Sequence, residues 1–177
     1  ESLKSFDLAV GTLPGSMGFQ ACKAAISAKV DLVDVSYMPK DVMALDKAAL
    51  KAGVCIVPDC GMSPGLGNIL VGHAVSRLDH VEGVFMLNGG LPEKPVPPLG
   101  YVVTWSVKDL IDMYSRKVTT VKGGKMTKVE AMSGLEEITF SGVGRLEAFY
   151  TDGLRTLLHT VKGVNEMWEK TLLQPLL

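Results

Sequence analysis

The feature that most constrains the fold is an alternation in the first third of the chain. Short, predominantly apolar runs at residues 8–12, 32–35 and 54–57 are separated by helical patterns at residues 18–28 and 42–52. In the second of these helices Val42, Leu45, Ala48, Ala49 and Ala52 share one face. Strands this short and apolar, joined by helices of about three turns, predict a parallel sheet covered on both faces. Ser63-Pro64-Gly65 is expected to open a further helix, with Ser63 as its cap and Pro64 at its first position. The apolar face of that helix would be Leu66, Ile69, Leu70, Ala74 and Leu78.

After Asp79 the pattern changes. Strand-like segments cover residues 81–88, 101–106, 118–122, 126–129, 136–140 and 146–150, with helical segments at 108–114 and 154–161. Lys122-Gly123-Gly124-Lys125 has the composition of a hairpin turn. The chain therefore reads as α/β over residues 1–80, followed by an α+β domain with a mixed or antiparallel sheet over residues 81–177. Hydrophobic residues make up 47% of the 177, enough for a sizeable aliphatic core.

Other features exclude function classes. With 18 basic and 19 acidic residues the net charge is −1, so neither nucleic acid nor an anionic membrane is the expected partner. No apolar run is long enough to span a bilayer, and the first residues do not read as a signal peptide. The three cysteines, Cys22, Cys55 and Cys60, form an odd, sparse set, which suits a reducing, cytoplasmic setting. Cys55 and Cys60 with His73 fall short of the four paired ligands of a structural zinc site, so no metal is expected. Cys55 reads as a buried strand residue and His73 as packed or half-buried, with His80 and His159 at the surface. The chain opens without Met, just ahead of a buried strand, as the middle of a larger protein would.

Candidate chemistry sits where ligands bind open parallel sheets, outside the carboxyl ends of the strands. Three loops occupy those ends: Thr12-Leu13-Pro14-Gly15-Ser16, Asp34-Val35-Ser36-Tyr37 and Asp59-Cys60-Gly61-Met62-Ser63-Pro64-Gly65. Each also reads as an ordinary βα turn, and their coincidence on one sheet edge points to a site. Cys60 would line it. Gly11, Gly15 and Gly18 lack G-x-G-x-x-G spacing and read as turn and packing glycines. In the second region the strand at residues 81–88 ends at Asn88-Gly89-Gly90, where glycine permits close approach of the backbone to a ligand. Tyr101 and Trp105 could wall a small pocket. Asp152 can cap the helix that follows it. Arg155 would then lie in that helix's first turn, a place that disfavours a cation. It fits a carboxylate partner there, either a substrate's or that of Glu147 or Asp152.

Several of these pieces together resemble the saccharopine dehydrogenase and lysine 6-dehydrogenase family. They are Thr12-Leu13-Pro14, Asp34-Val35-Ser36, Gly61-x-x-Pro64-Gly65-Leu66, Gly89-Gly90-Leu91-Pro92, Pro98-Leu99-x-Tyr101, Trp105-Ser106 and Thr151-Asp152-Gly153-Leu154-Arg155. The resemblance implies that residues 1–80 are the C-terminal part of a Rossmann domain binding NAD or NADP, whose first βαβ half is missing here. Residues 81–177 would be the substrate and dimerisation domain. It implies that Leu13, Pro14, Val35 and Ser36 approach the cofactor, that Gly61, Pro64 and Gly65 lie near the nicotinamide, and that Asn88, Gly89, Tyr101, Trp105 and Arg155 face an amino-acid substrate lying between the domains. The implied reaction is hydride transfer from the ε-amino carbon of L-lysine. Asp59 and Tyr37 are the candidate bases. Saccharopine-forming members carry an arginine between the later strands, and residues 117–144 contain none, which favours the smaller lysine substrate. The alternatives are a saccharopine-type condensing oxidoreductase and a non-catalytic binding or assembly member. A homodimer is expected, and this chain alone is expected to be inactive.

Overall fold

The computed structural model describes residues 2–97 and 100–175, so the Pro98-Leu99 part of the family motif lies outside the described residues. The chain divides into two compact units, with the division between Leu70 and Val71.

In the first unit, β1 (Leu8–Gly11), β2 (Asp31–Asp34) and β3 (Ile56–Val57) form a parallel sheet in the order β1-β2-β3. Val10 pairs with Val33, and Leu32 with Ile56. The helix α1 (Gly15–Ala28) joins β1 to β2. A 3-10 turn over Val42–Leu45 leads into α2 (Asp46–Ala52), which leads to β3. The alternation of apolar runs and helical patterns thus becomes βαβαβ. Cys22 and Ala25 of α1 pack with Leu32, Met38, Val42 and Leu45 over one sheet face. Both helices stop at a left-handed residue, Lys29 at φ 58° and Gly53 at φ 70°, whose N–H groups close back on the last turn.

Among the described residues, coverage of both faces is not found. Leu8, Val10 and Val57 alternate onto the opposite face and are 54%, 66% and 43% exposed. Cys55, just ahead of the two-residue β3, is likewise exposed, although its carbonyl still accepts from the Leu32 N–H at 3.0 Å.

The helix α3 (Leu66–Val75) starts later than expected and buries a different face. Ser63 does not cap it, and Pro64 precedes it across a cis bond. Gly65 holds the cap position, and its N–H donates to Asn68 Oδ1 at 2.9 Å, the side chain reaching back from the first turn. Leu66, Ile69 and Leu70 are 48%, 61% and 59% exposed, whereas Asn68 is buried and Val71 and Val75 pack on the core of the second unit. That packing places the division ahead of the change of texture near residue 80. His73 is exposed, while His159 is half-buried.

The second unit holds β4 (Gly83–Asn88), β5 (Val118–Lys122), β6 (Lys125–Val129), β7 (Glu136–Phe140), β8 (Gly144–Tyr150) and β9 (Glu166–Leu173). The order is β6-β5-β9-β8-β7, and β4 pairs in parallel with β9 from Gly83↔Glu166 to Asn88↔Thr171. The sheet is therefore mixed, and β9 is its hub. Gly123 and Gly124, at φ 56° and 73°, turn the β5–β6 hairpin with the two positive angles that its strand twist requires. Val84, Met86, Val121 and Met167 line the core face beneath Leu154, Leu157, Val161 and Val164. Lys170 pins the loop before β7, donating to Gly134 O and Glu136 Oε1, each at 2.6 Å.

Residues 101–106 are not a strand. They are an irregular run into α4 (Val107–Ser115), which Ser106 caps by accepting from the Asp109 N–H at 3.3 Å. The last helical segment is a single turn, α5 (Leu157–Thr160), shorter than expected at its start.

Candidate functional site

The three strand-end loops of the first unit are stitched together by hydrogen bonds. The Val35 N–H donates to Gly11 O at 3.0 Å, and Ser36 Oγ donates to Leu13 O at 2.9 Å. The Cys60 N–H donates to Asp34 O at 2.9 Å. Asp34 is fully buried and accepts from the Ser36 N–H through Oδ1 at 2.7 Å. Its carboxylate lies against the bare Cα of Gly11, and the side chains of Ser36 and Met38 lie against that of Gly18, so these glycines are packing positions. In the third loop the Gly61 N–H donates to Pro64 O at 3.0 Å, and a Cβ on Gly65 would land on the Gly61 backbone. Leu13, Pro14, Val35, Ser36, Gly61, Pro64 and Gly65 thus share one end of the sheet, with Leu13, Val35 and Met62 as its exposed apolar rim.

Of the two candidate bases, Asp59 is 4% exposed and sits at φ 55°, an uncommon conformation for a non-glycine residue. Tyr37 is half-buried in the loop after β2. Burial raises the Cys60 thiol, and Asp59 and Asp34 raise it further, so Cys60 stays protonated rather than serving as a thiolate nucleophile. Burial and the same two carboxylates push Cys22 up to about 11. Among the described residues no group of three or more His, Cys, Asp or Glu could hold a metal ion. A groove of about 500 Å³ between α2 and β3 is lined by Val42, Leu45, Ala49 and Leu50, and reaches Pro58 just ahead of the third loop.

A second cluster forms at one end of the second unit's sheet. Glu169 of β9 is 2% exposed and gathers three donors. Thr151 Oγ1 donates to Oε2 at 2.6 Å, the Gly153 N–H to Oε2 at 3.2 Å, and Asn88 Nδ2 to Oε1 at 3.2 Å. Burial pushes its carboxyl up to about 7, with the Thr151, Asn88 and Gly153 hydrogen bonds opposing the shift. In the following turn Arg155, at φ 48°, pairs with Asp152 at 3.3 Å, both nearly buried. Asp152 therefore does not cap a helix, and Arg155 is not in one. Burial raises the Asp152 carboxyl, while Arg155 and then Arg116 lower it. The two guanidiniums thus act on Asp152, and Asp152 in turn raises the neighbouring Glu169 carboxyl.

Arg116 was not singled out in the sequence. It ends α4 one residue ahead of the arginine-free stretch, and only the fold of β8 brings Asp152 to it. Glu169 was missed too, since nothing in Trp168-Glu169-Lys170 separates an inward glutamate from a surface one. Tyr101 and Trp105 adjoin each other, Trp105 Nε1 donating to Tyr101 Oη at 3.2 Å. Gly89 is exposed, but its bare Cα faces Leu172, so the sheet itself takes up the close approach that glycine allows.

Comparisons with known proteins agree with this architecture. The profile of the saccharopine dehydrogenase C-terminal domain matches residues 61–175. Saccharopine dehydrogenase (NADP(+), L-glutamate-forming) of Pyricularia oryzae is 29% identical over 132 residues, covering 70% of this chain and 29% of that protein. The mitochondrial alpha-aminoadipic semialdehyde synthase of Bos taurus is 28% identical over 140 residues, covering 75% of this chain and 15% of that one. Apo saccharopine dehydrogenase (L-Glu forming) of Saccharomyces cerevisiae superposes with a TM-score of 0.72 at 21% identity, over 98% of this chain and 41% of that structure. The chain thus spans less than half the length of each of these proteins.

Proposed function

This chain belongs to the saccharopine dehydrogenase family, and from that premise we propose that it is part of an NAD(P)-dependent amino-acid oxidoreductase that oxidises the ε-amino carbon of L-lysine. The observation that carries the choice of substrate is the charge balance around Asp152. Arg155 and Arg116 act on Asp152, which in turn lies close enough to Glu169 to raise its carboxyl. Such a cluster offers a carboxylate little excess positive charge, which suits a substrate with one carboxylate and two amines better than saccharopine with its three carboxylates. The names of the relatives support the second reading, a saccharopine-forming or saccharopine-cleaving enzyme.

The strand-end loops of the first unit fit a nicotinamide. Leu13, Val35 and Met62 offer an exposed apolar rim to a planar ring, and the bonds among the loops hold that rim rigid. Bound there, the nicotinamide supplies a hydride acceptor. Leu13, Pro14, Val35, Ser36, Gly61, Pro64 and Gly65 would hold it. The ε-ammonium must lose a proton before a hydride can leave its carbon, and Asp59 or Tyr37 takes that role in this reading. Asn88, Gly89, Tyr101, Trp105 and Arg155 recognise the amino acid, with Arg155 on its carboxylate. The whole protein would be a homodimer, which would shelter the sheet's edge strands.

The test uses the full-length protein. Reduced-nicotinamide absorbance is followed with NAD and with NADP, against lysine, ornithine and saccharopine, and in reverse with glutamate plus aminoadipate semialdehyde. Turnover with lysine alone is expected. Turnover confined to saccharopine, or to the reverse condensation, would replace the lysine assignment with the second reading.

A further inference from the structure

Why a glutamate is buried in the core face of β9 has an answer in what its hydrogen bonds do to Asn88. Above the value of about 7 at which the fold holds it, the Glu169 carboxyl is ionised and only accepts. Facing it, the Asn88 amide is held with Nδ2 inward, donating to Glu169 Oε1 at 3.2 Å. The opposite orientation would set the amide oxygen against a carboxylate oxygen. The other carboxylate oxygen is already engaged by Thr151 Oγ1 and the Gly153 N–H. A Cβ at Gly153 would strike the Glu169 carboxyl, so the turn carrying Arg155 closes directly over this group. One side chain therefore ties the end of β4 to the turn after β8, and leaves the carbonyl oxygen of half-buried Asn88 as the group turned away from the core.

We propose that Glu169 is a positioning residue that sets the Asn88 amide to present its oxygen as an acceptor for the α-ammonium of the amino-acid substrate, whose α-carboxylate Arg155 takes. This rests on the amino-acid reading above. An α-amino acid then meets an acceptor and a cation in the pattern of its own two α-substituents. A substrate without the α-amine leaves the acceptor unmatched, the kind of loss that discriminates strongly.

The experiment compares lysine with 6-aminohexanoate, which keeps the carboxylate and the reacting amine but lacks the α-amine, in the full-length wild type and in Glu169→Gln. Glutamine keeps an oxygen for Thr151 and Gly153, and its new amino group meets Asn88, forcing that amide to turn over. Wild type is expected to favour lysine in kcat/KM. Glu169→Gln should lose about tenfold of that preference, roughly one charge-assisted hydrogen bond. The loss should fall on KM for lysine, with kcat and dinucleotide affinity retained. The double variant Asn88→Asp/Glu169→Gln restores an outward oxygen and should recover the preference. A folded Glu169→Gln with undiminished preference overturns the proposal. So does one in which both substrates, kcat and dinucleotide binding decline together, as a merely structural role would give. If wild type turns over a different α-amino acid, the lysine assignment fails while this proposal is tested on that substrate and its des-amino analogue. Wild type inactive on every amino acid overturns both.

Discussion

Glu169→Gln should also reshape how stability depends on pH. The Glu169 carboxyl is held at about 7 in the fold against an ordinary value of 4.5, chiefly by burial. Between those two values the unfolded chain has released the proton and the folded chain retains it. The folded state thus binds more protons, and stability falls as pH rises through that window. The shift corresponds to about 3 kcal/mol at 1.36 kcal/mol per unit, and the 2% exposure of Glu169 leaves little solvent to screen it. Below 4.5 the wild type carries none of this penalty, and above 7 it carries all of it. Glutamine cannot ionise, so the wild-type-minus-variant difference should decline across the window and be flat on either side. Urea unfolding of both proteins at a series of pH values from 4 to 9 measures it, the difference cancelling every other titrating group. Parallel profiles would refute the reasoning, because Glu169 would then titrate alike in the folded and unfolded chains.

Two other perturbations separate backbone constraint from charge. Gly65→Ala should cost more than about 2 kcal/mol, because Gly65 is at φ 151° with its Cα against Gly61. Gly72→Ala inside α3 has nothing within 4 Å of the added methyl and should be neutral or stabilising by up to about 1 kcal/mol; thermal melts of the pair read both. Arg155→Ala leaves the nearly buried Asp152 without its closest cation and should cost about 3 kcal/mol at pH 8. At pH 3 protonation of Asp152, whose carboxyl is already raised, should shrink that cost, and equal losses at the two pH values would count against the pairing.

Local pattern carried much of the first unit. Its strand and helix order and the loops at its strand ends were legible, as was the β5–β6 hairpin of the second unit, because period, turn residues and glycine angles are properties of a few neighbouring residues. Faces were less so. Leu66, Ile69 and Leu70 have the spacing of a buried stripe, yet α3 buries Asn68, Val71 and Val75. The helix is apolar nearly all round, so periodicity could not choose a side. The run at residues 101–106 has β-forming residues but no strand beside it to complete a ladder.

The candidate site divides the same way. The sequence alone determined the βαβαβ order and the packing role of Gly11 and Gly18, and it pointed to a carboxylate partner for Arg155 while placing that residue in a helix rather than the turn it occupies. Tertiary structure decided the partners. β9 lies between strands that are far away in the chain, so Glu169 meets Asn88 at a separation of 81 residues and Thr151 at 18. Contacts over such distances depend on sheet register, and no short-range pattern encodes register. Nor could a glutamate in an alternating strand announce that its side of the sheet is the buried one, where loss of water rather than any neighbouring residue in sequence controls its proton.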